Sequence, residues 1–168
     1  MILCLFGLTC SGKTTVGRAV AARLNVPLRS CGDEVRRVAR ERDVAIEDLP
    51  DESHHQIDRD TVAWAVKHQP CIVEGRFLDA VFAGAGTPAT LIRLVASEAR
   101  RAARWRATNV TFTSARLAQA DAEDANLRAR IYTAEDEVVP CLTIDTSELT
   151  VDECASRIAT MIKDARLA

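Results

Sequence analysis

The stretch Ile2-Leu-Cys-Leu-Phe6-Gly7-Leu-Thr-Cys-Ser-Gly12-Lys13-Thr14-Thr15 decides how the rest of this chain is read. Residues 2–6 are apolar throughout, the pattern of a strand buried on both faces. From Lys13 the period changes, and Val16, Val20 and Leu24 fall on one helical face. The loop between them fits the spacing G-x-x-x-x-G-K-[ST], which has a mechanical reason. Gly7 and Gly12 reach backbone angles closed to other residues, so successive N–H groups can turn inward as an anion-binding nest. Lys13 adds a mobile positive charge, and the Thr14 hydroxyl suits Mg²⁺. The following helix aims its positive dipole end at the same point. The expectation is a nucleotide-phosphate site for Mg-ATP built from Gly7, Thr9, Cys10, Ser11, Gly12, Lys13, Thr14 and Thr15.

Working outward, short strand-like runs alternate with helical patterns. Strands are expected at Ile2–Phe6, Pro27–Ser30, from Cys71 to Gly75, at Thr90–Val95 and at Pro140–Asp145. Helices are expected at Lys13–Leu24, about Asp33 to Arg42, Asp51–Lys67, behind Ser97, and after the capping box Thr150-Val-Asp-Glu153. The last has Val151, Cys154, Ile158, Met161, Ile162 and Ala165 as its inner face. Ala83 to Pro88 reads as a surface loop and Asn109 to Ser114 as a flap between two arginine-bearing segments. Strands separated by helices imply an α/β fold, a three-layer parallel sheet covered on both faces. Ligands on such sheets gather at the carboxyl ends of the strands, which here carry Gly7–Thr14, Ser30–Asp33 and Glu74–Arg76.

A chain of 168 residues with 48% hydrophobic and 27% charged residues fits one soluble domain, residues 1–168. The net charge of −2 gives no overall pull toward nucleic acid or anionic membrane, so neither is expected as a partner. The six cysteines are scattered with no C-x-x-C pair, which favours reduced thiols over a disulfide framework or zinc site. Cys10, inside the loop, reads either as an oxidation-sensitive switch or as a small loop residue. No signal or membrane-spanning pattern precedes the first strand, and a cytoplasmic protein is expected. His54 and His55 are adjacent on a helix and point apart, a poor arrangement for ligating a metal.

Beyond the phosphate loop, several short motifs fall in a recognisable order. Ser30-Cys-Gly32-Asp33-Glu-Val-Arg36 fits S-x-G-x-x-x-R, followed by Ile57-Asp58-Arg59, Glu74-Gly75-Arg76, and Ile144-Asp145-Thr146-Ser147 before the acidic-capped helix. With these the chain resembles the cytidylate kinase-like branch of the nucleoside monophosphate kinases, P-loop enzymes. That resemblance implies a P-loop kinase fold with a small acceptor-binding segment, about 31–68, and a lid, about 100–130. It also implies ATP and Mg²⁺ as co-substrate and cofactor, and a nucleoside monophosphate, CMP or dCMP, as acceptor.

The residue chemistry agrees with that order. Arg36 and Arg76 can each present a bidentate fork to a phosphate, and Gly75 lets the backbone turn close to it. Ser30, Asp33, Asp58 and Arg59 read either as hydrogen-bonding groups for a base edge or as helix caps and surface ion pairs. By analogy, the family reads cytosine with such groups. Glu74 ends an apolar strand, where it orders Mg²⁺ together with Thr14 or pairs with Arg76 or Lys13. Arg100, Arg104, Arg128 and Arg130 are the lid candidates for neutralising the transferred phosphoryl group alongside Lys13, against the plainer reading of a solvated helix face. Thr61-Val-Ala-Trp64-Ala-Val replaces the usual charged pattern of the family after its I-D-R motif, with Trp64 either stacking on a base or buried against the sheet.

Two other readings stay open at this point. One is a P-loop kinase for a different small molecule: a specialised nucleotide, a sugar or a shikimate-like acceptor. The other is a nucleotide-dependent regulatory ATPase, though neither an Asp-ended metal strand nor an N-K-x-D motif is present. Oligomeric state is not legible.

Overall fold

The computed structural model describes residues 1–108, 113–132 and 142–167. The expected flap positions 109–112 and the strand start at Pro140 and Cys141 lie outside them, as does the side chain of Ala165. Five parallel strands form one sheet: β1 (Ile2–Phe6), β2 (Leu28–Ser30), β3 (Cys71–Gly75), β4 (Thr90–Val95) and β5 (Leu142–Asp145). Their spatial order is β2-β3-β1-β4-β5. The register sets Phe6 beside Gly75 and Arg93, and Ser30 beside Glu74. The polar ends of β1, β2 and β3 therefore come level on one rim.

Between the strands run α1 (Lys13–Leu24), α2 (Cys31–Glu41), α3 (Asp51–Lys67), α4 (Leu78–Gly84), α5 (Glu98–Thr108), α6 (Ser114–Ile131) and α7 (Val151–Leu167), with a 3-10 turn at Ile46–Asp48. The period of two in the strands sorts the core into two layers. Leu3 and Leu5 face Val16, Val20 and Ala21 of α1 and Cys154, Ile158 and Ile162 of α7. Ile2, Cys4 and Phe6 face the other way, onto Ala65 of α3 and Leu78, Val81 and Phe82 of α4. Among the described residues, no helix is long and apolar enough to cross a membrane.

Two elements depart from expectation for local reasons. Helix α2 begins at Cys31 rather than Asp33, because the Ser30 hydroxyl accepts from the Asp33 N–H as its N-cap. Its expected apolar stripe is hardly buried: only Ala39 is enclosed, and Val35 faces a cleft. Leu78–Gly84, part of which reads as loop by its glycines, is helical because Leu78, Val81 and Phe82 bury against the sheet. Ser97 and the Thr150–Glu153 box cap α5 and α7 as their spacing predicts.

Candidate active site

The phosphate loop is held at both ends by its glycines. Gly7 has φ 143°, and a Cβ there would stand 2.1 Å from the Leu94 carbonyl oxygen, so only glycine lets β1 turn this close to β4. Gly12, with φ 100°, is the N-cap of α1 and supplies no side-chain cap to the first-turn N–H groups. Between them Cys10 takes φ 61°, unusual for a residue with a side chain. Lys13 Nζ donates to the Leu8 carbonyl across the loop at 2.7 Å. Burial lowers its pKa to about 8, against the opposing pull of Glu74.

Glu74 is buried at the end of β3, and its bonded partners are two hydroxyls. Thr14 Oγ1 donates to Glu74 Oε1 at 3.0 Å, and Ser30 Oγ donates to the same oxygen. The expected pairing with Lys13 or Arg76 is not among its hydrogen bonds or ion pairs. One carboxylate and one hydroxyl, both hard oxygen donors beside a phosphate nest, fit a Mg²⁺ that keeps most of its waters.

A cleft of about 500 Å³ opens from this corner. The phosphate loop forms its floor through Thr9, Cys10, Lys13 and Thr14, and Arg36, Arg76 and Arg130 bring three further cations to its walls. Ile57, Phe77, Leu78 and Val81 make an apolar side. Asp58 and Tyr132 also line it, and the Tyr132 hydroxyl donates to the Asp58 carboxylate at 2.6 Å. Burial raises the pKa of Asp58, and burial with the neighbouring Asp58 charge raises that of Tyr132. His54 also lines the cleft, its pKa lowered by burial.

The sequence-predicted acceptor residues divide. Arg36, Asp58, Gly75 and Arg76 line the cleft, whereas Ser30 does not and instead bonds to Glu74 and caps α2. Asp33 is exposed and bonded to Arg36 at 2.6 Å, which holds its carboxyl below the usual range. Arg59 is exposed and turned to Glu52 and Gln56, away from the cleft lining. Trp64 is partly buried, stacked on His68 at 4.6 Å with the Arg29 guanidinium over its ring, and it does not line the cleft.

The arginine cluster divides as well. Arg130 lines the cleft and pairs with Asp51 at 2.8 Å. Arg128 forks onto Asp79 of α4 at 3.0 and 2.9 Å. Arg104 lies behind the phosphate loop, bonded to the Cys10 carbonyl and to Thr146. Arg100 is exposed on the first turn of α5 and Thr15 on that of α1, and neither lines the cleft.

Sequence reasoning missed Asp124. It is buried on α6, pairs with Arg76, accepts from Thr9 Oγ1 at 3.4 Å, and has its pKa raised by burial. It also missed Arg101, which is buried, bonded to the Thr9 carbonyl and held in a fork by Asp121. Asp121, Asp124 and Arg128 recur on one face of α6, a spacing that marks a polar stripe turned inward.

Residues 3–112 match the family described as AAA domain. The chain is 38% identical over 99 residues to the cytidylate kinase of Methanothermobacter thermautotrophicus, a match covering 55% of this chain and 60% of that protein. The chain thus spans about 60% of the length of this curated relative. Its fold is similar to that of the shikimate kinase from Acinetobacter baumannii in complex with shikimate, with a TM-score of 0.67, 16% identity, and coverage of 99% of this chain and 95% of the other. A gluconokinase from Sinorhizobium meliloti is similar at a TM-score of 0.63 and 17% identity, covering 98% of this chain and 95% of the other. The parallel three-layer sheet is the fold of P-loop kinases, as its motifs imply.

Proposed function

Because the chain belongs to the AAA domain family and has the fold of P-loop kinases, we propose that it moves the γ-phosphoryl of ATP to a nucleoside monophosphate, CMP or dCMP. The observation that carries this reading is the convergence of Arg36, Arg76 and Arg130 on a cleft whose floor is the phosphate loop. Three guanidiniums suit a doubly charged phosphate acceptor better than a neutral one.

In this reading the loop N–H groups and Lys13 hold the β- and γ-phosphates of the donor. Thr14 and Glu74 hold Mg²⁺, which when bound neutralises charge between the phosphates. Arg36 and Arg76 fix the acceptor phosphate, and its oxygen attacks the γ-phosphorus while the bond to the β-phosphate oxygen breaks. An acceptor phosphate is already anionic, so no protein base is required. Arg130 neutralises charge on the transferred group, while Asp58 and the apolar wall receive the acceptor's other end. The free thiols of Cys4, Cys10, Cys31, Cys71 and Cys154 suit a reducing, cytoplasmic setting.

A second reading, a P-loop kinase for another small acceptor such as a specialised nucleotide, a sugar or a shikimate-like acid, is favoured by one observation. Arg59 and Asp33, expected at a base edge, are engaged elsewhere. ADP release from Mg-ATP separates the two, measured with CMP, dCMP, UMP, AMP, GMP, shikimate, gluconate or no acceptor and with Lys13→Ala as control. Stimulation by CMP or dCMP that depends on Lys13 supports the first reading. Stimulation confined to a non-nucleotide overturns it in favour of the second.

A further inference from the structure

We propose that Thr146, with Arg104 behind it, is a positioning residue for the phosphate loop, holding the Ser11 carbonyl on its far side so that the Gly12 N–H faces the nucleotide. The inference rests on the ATP-binding part of the reading above. It gives a task to the Asp145-Thr146-Ser147 motif, which the cleft leaves unused.

Three successive loop carbonyls are taken from the side of α5 and β5. Arg101 Nη1 donates to the Thr9 carbonyl at 3.3 Å, Arg104 Nη1 to that of Cys10 at 3.2 Å, and Thr146 Oγ1 to that of Ser11 at 2.8 Å. A trans peptide is planar, with N–H and C=O pointing opposite ways. Fixing the Ser11 carbonyl on Thr146 therefore turns the Gly12 N–H away from Thr146. The backbone here holds φ 61° at Cys10, a conformation that a residue with a side chain keeps only where the surroundings over-determine it.

Thr146 is built to donate. It is 1% exposed, so water does not compete for its hydroxyl. Its N–H is fixed on the Val95 carbonyl at 2.8 Å. Arg104 donates to Thr146 Oγ1 at 2.9 Å and to the Thr146 carbonyl at 2.6 Å. The hydroxyl has one proton, and the acceptors in reach are the Ser11 carbonyl and, at 3.1 Å, the Val95 carbonyl. A hydroxyl that accepts from a guanidinium is polarised to donate more strongly, so Arg104, Thr146 and Ser11 form one chain.

The test compares Thr146→Val, which keeps the shape and removes the donor, with Thr146→Ser, which keeps the donor. ATP affinity is measured directly by calorimetry, together with the KM for ATP and for whichever acceptor stimulates turnover. Thr146→Val is expected to weaken ATP binding about tenfold, equivalent to about 1.4 kcal/mol. The KM for ATP should rise in parallel, with the acceptor KM unmoved and Thr146→Ser within about twofold of the parent. Arg104→Met is expected to weaken ATP binding in the same direction, and serves if the valine variant does not fold. Unchanged ATP affinity in the variants overturns the proposal, as does equal weakening by valine and serine. A parent protein that binds no ATP overturns the phosphotransfer reading itself, so the two failures are told apart.

Discussion

Asp124 on α6 and Arg76 just beyond β3 form an ion pair within the cleft lining, the carboxylate buried and the guanidinium partly open to solvent. Asp124 also reaches Thr9 of the phosphate loop, so one carboxylate touches both halves of the site. It occupies the guanidinium that the proposed reading gives to the acceptor phosphate, and the two anions would compete for it.

Asp124→Asn should therefore lower the acceptor KM several-fold, by about 1 kcal/mol of relieved competition, without moving the KM for ATP. The variant also has a stability signature. Burial raises the carboxyl's pKa in the folded protein above its unfolded value. The stability linked to its protonated form is present at low pH and lost as pH rises through the folded pKa. Thermal melts of parent and variant should converge near the acid end of the stable range and diverge in favour of asparagine toward neutrality. A parallel offset at all pH values would contradict this.

Lys13 gives a second pH dependence. With its pKa at about 8 in the free protein, the cation is lost above that pH, earlier than for a solvated lysine. ATP affinity should be level from pH 7 to about 7.5 and then weaken by up to about tenfold per unit above pH 8. Lys13→Arg should remove the alkaline limb, whatever its absolute affinity. Calorimetry across pH 7–9.5 checks both.

Glu74→Gln keeps the shape and the acceptor oxygen for Thr14 and Ser30 but removes the charge. The Mg²⁺ concentration for half-maximal turnover should rise about tenfold or more, on the scale of one lost charged ligand. An unchanged metal requirement would leave Glu74 only its hydroxyl bonds.

Arg128 and Arg130, two positions apart on α6, should separate stability from catalysis. Arg128→Met strands the nearly enclosed Asp79 carboxylate and should cost about 1–3 kcal/mol in urea unfolding. Arg130 and Asp51 are both well exposed, so Arg130→Met should cost about 0.5 kcal/mol or less. Its effect should instead be a several-fold fall in kcat.

The sheet and the phosphate loop were legible because their signals are local: an apolar run, a fixed glycine spacing, a change of period at Lys13. β1, α1, α3 and β4 have the very ends that the sequence implies. Leu78–Gly84 was not, because its helix is made by burial of Leu78, Val81 and Phe82 against the sheet rather than by a long pattern. The arginines were harder still. Arg100 to Arg130 read as one charged segment, yet Arg101 and Arg104 brace the loop from behind, Arg128 anchors α6 to α4, and Arg130 enters the cleft. Such assignments depend on which carboxylate or carbonyl each guanidinium meets across the fold, and residue spacing carries no record of that. Asp58 could be named from its motif, but its partner Tyr132 could not.

The sheet order places β3 between β1 and β2, so on the reading proposed above the short run Glu74–Arg76 would serve the donor side with its first residue and the acceptor side with its last. The remaining walls of the cleft come from α2, α3, α4 and α6, which contribute no residue to the phosphate loop. Divergence of clientele is thus mechanically cheap in this architecture. A lineage, or an engineer, can exchange those helices for another acceptor's mould and inherit the phosphorylating half intact, provided the three residues at the seam stay fixed.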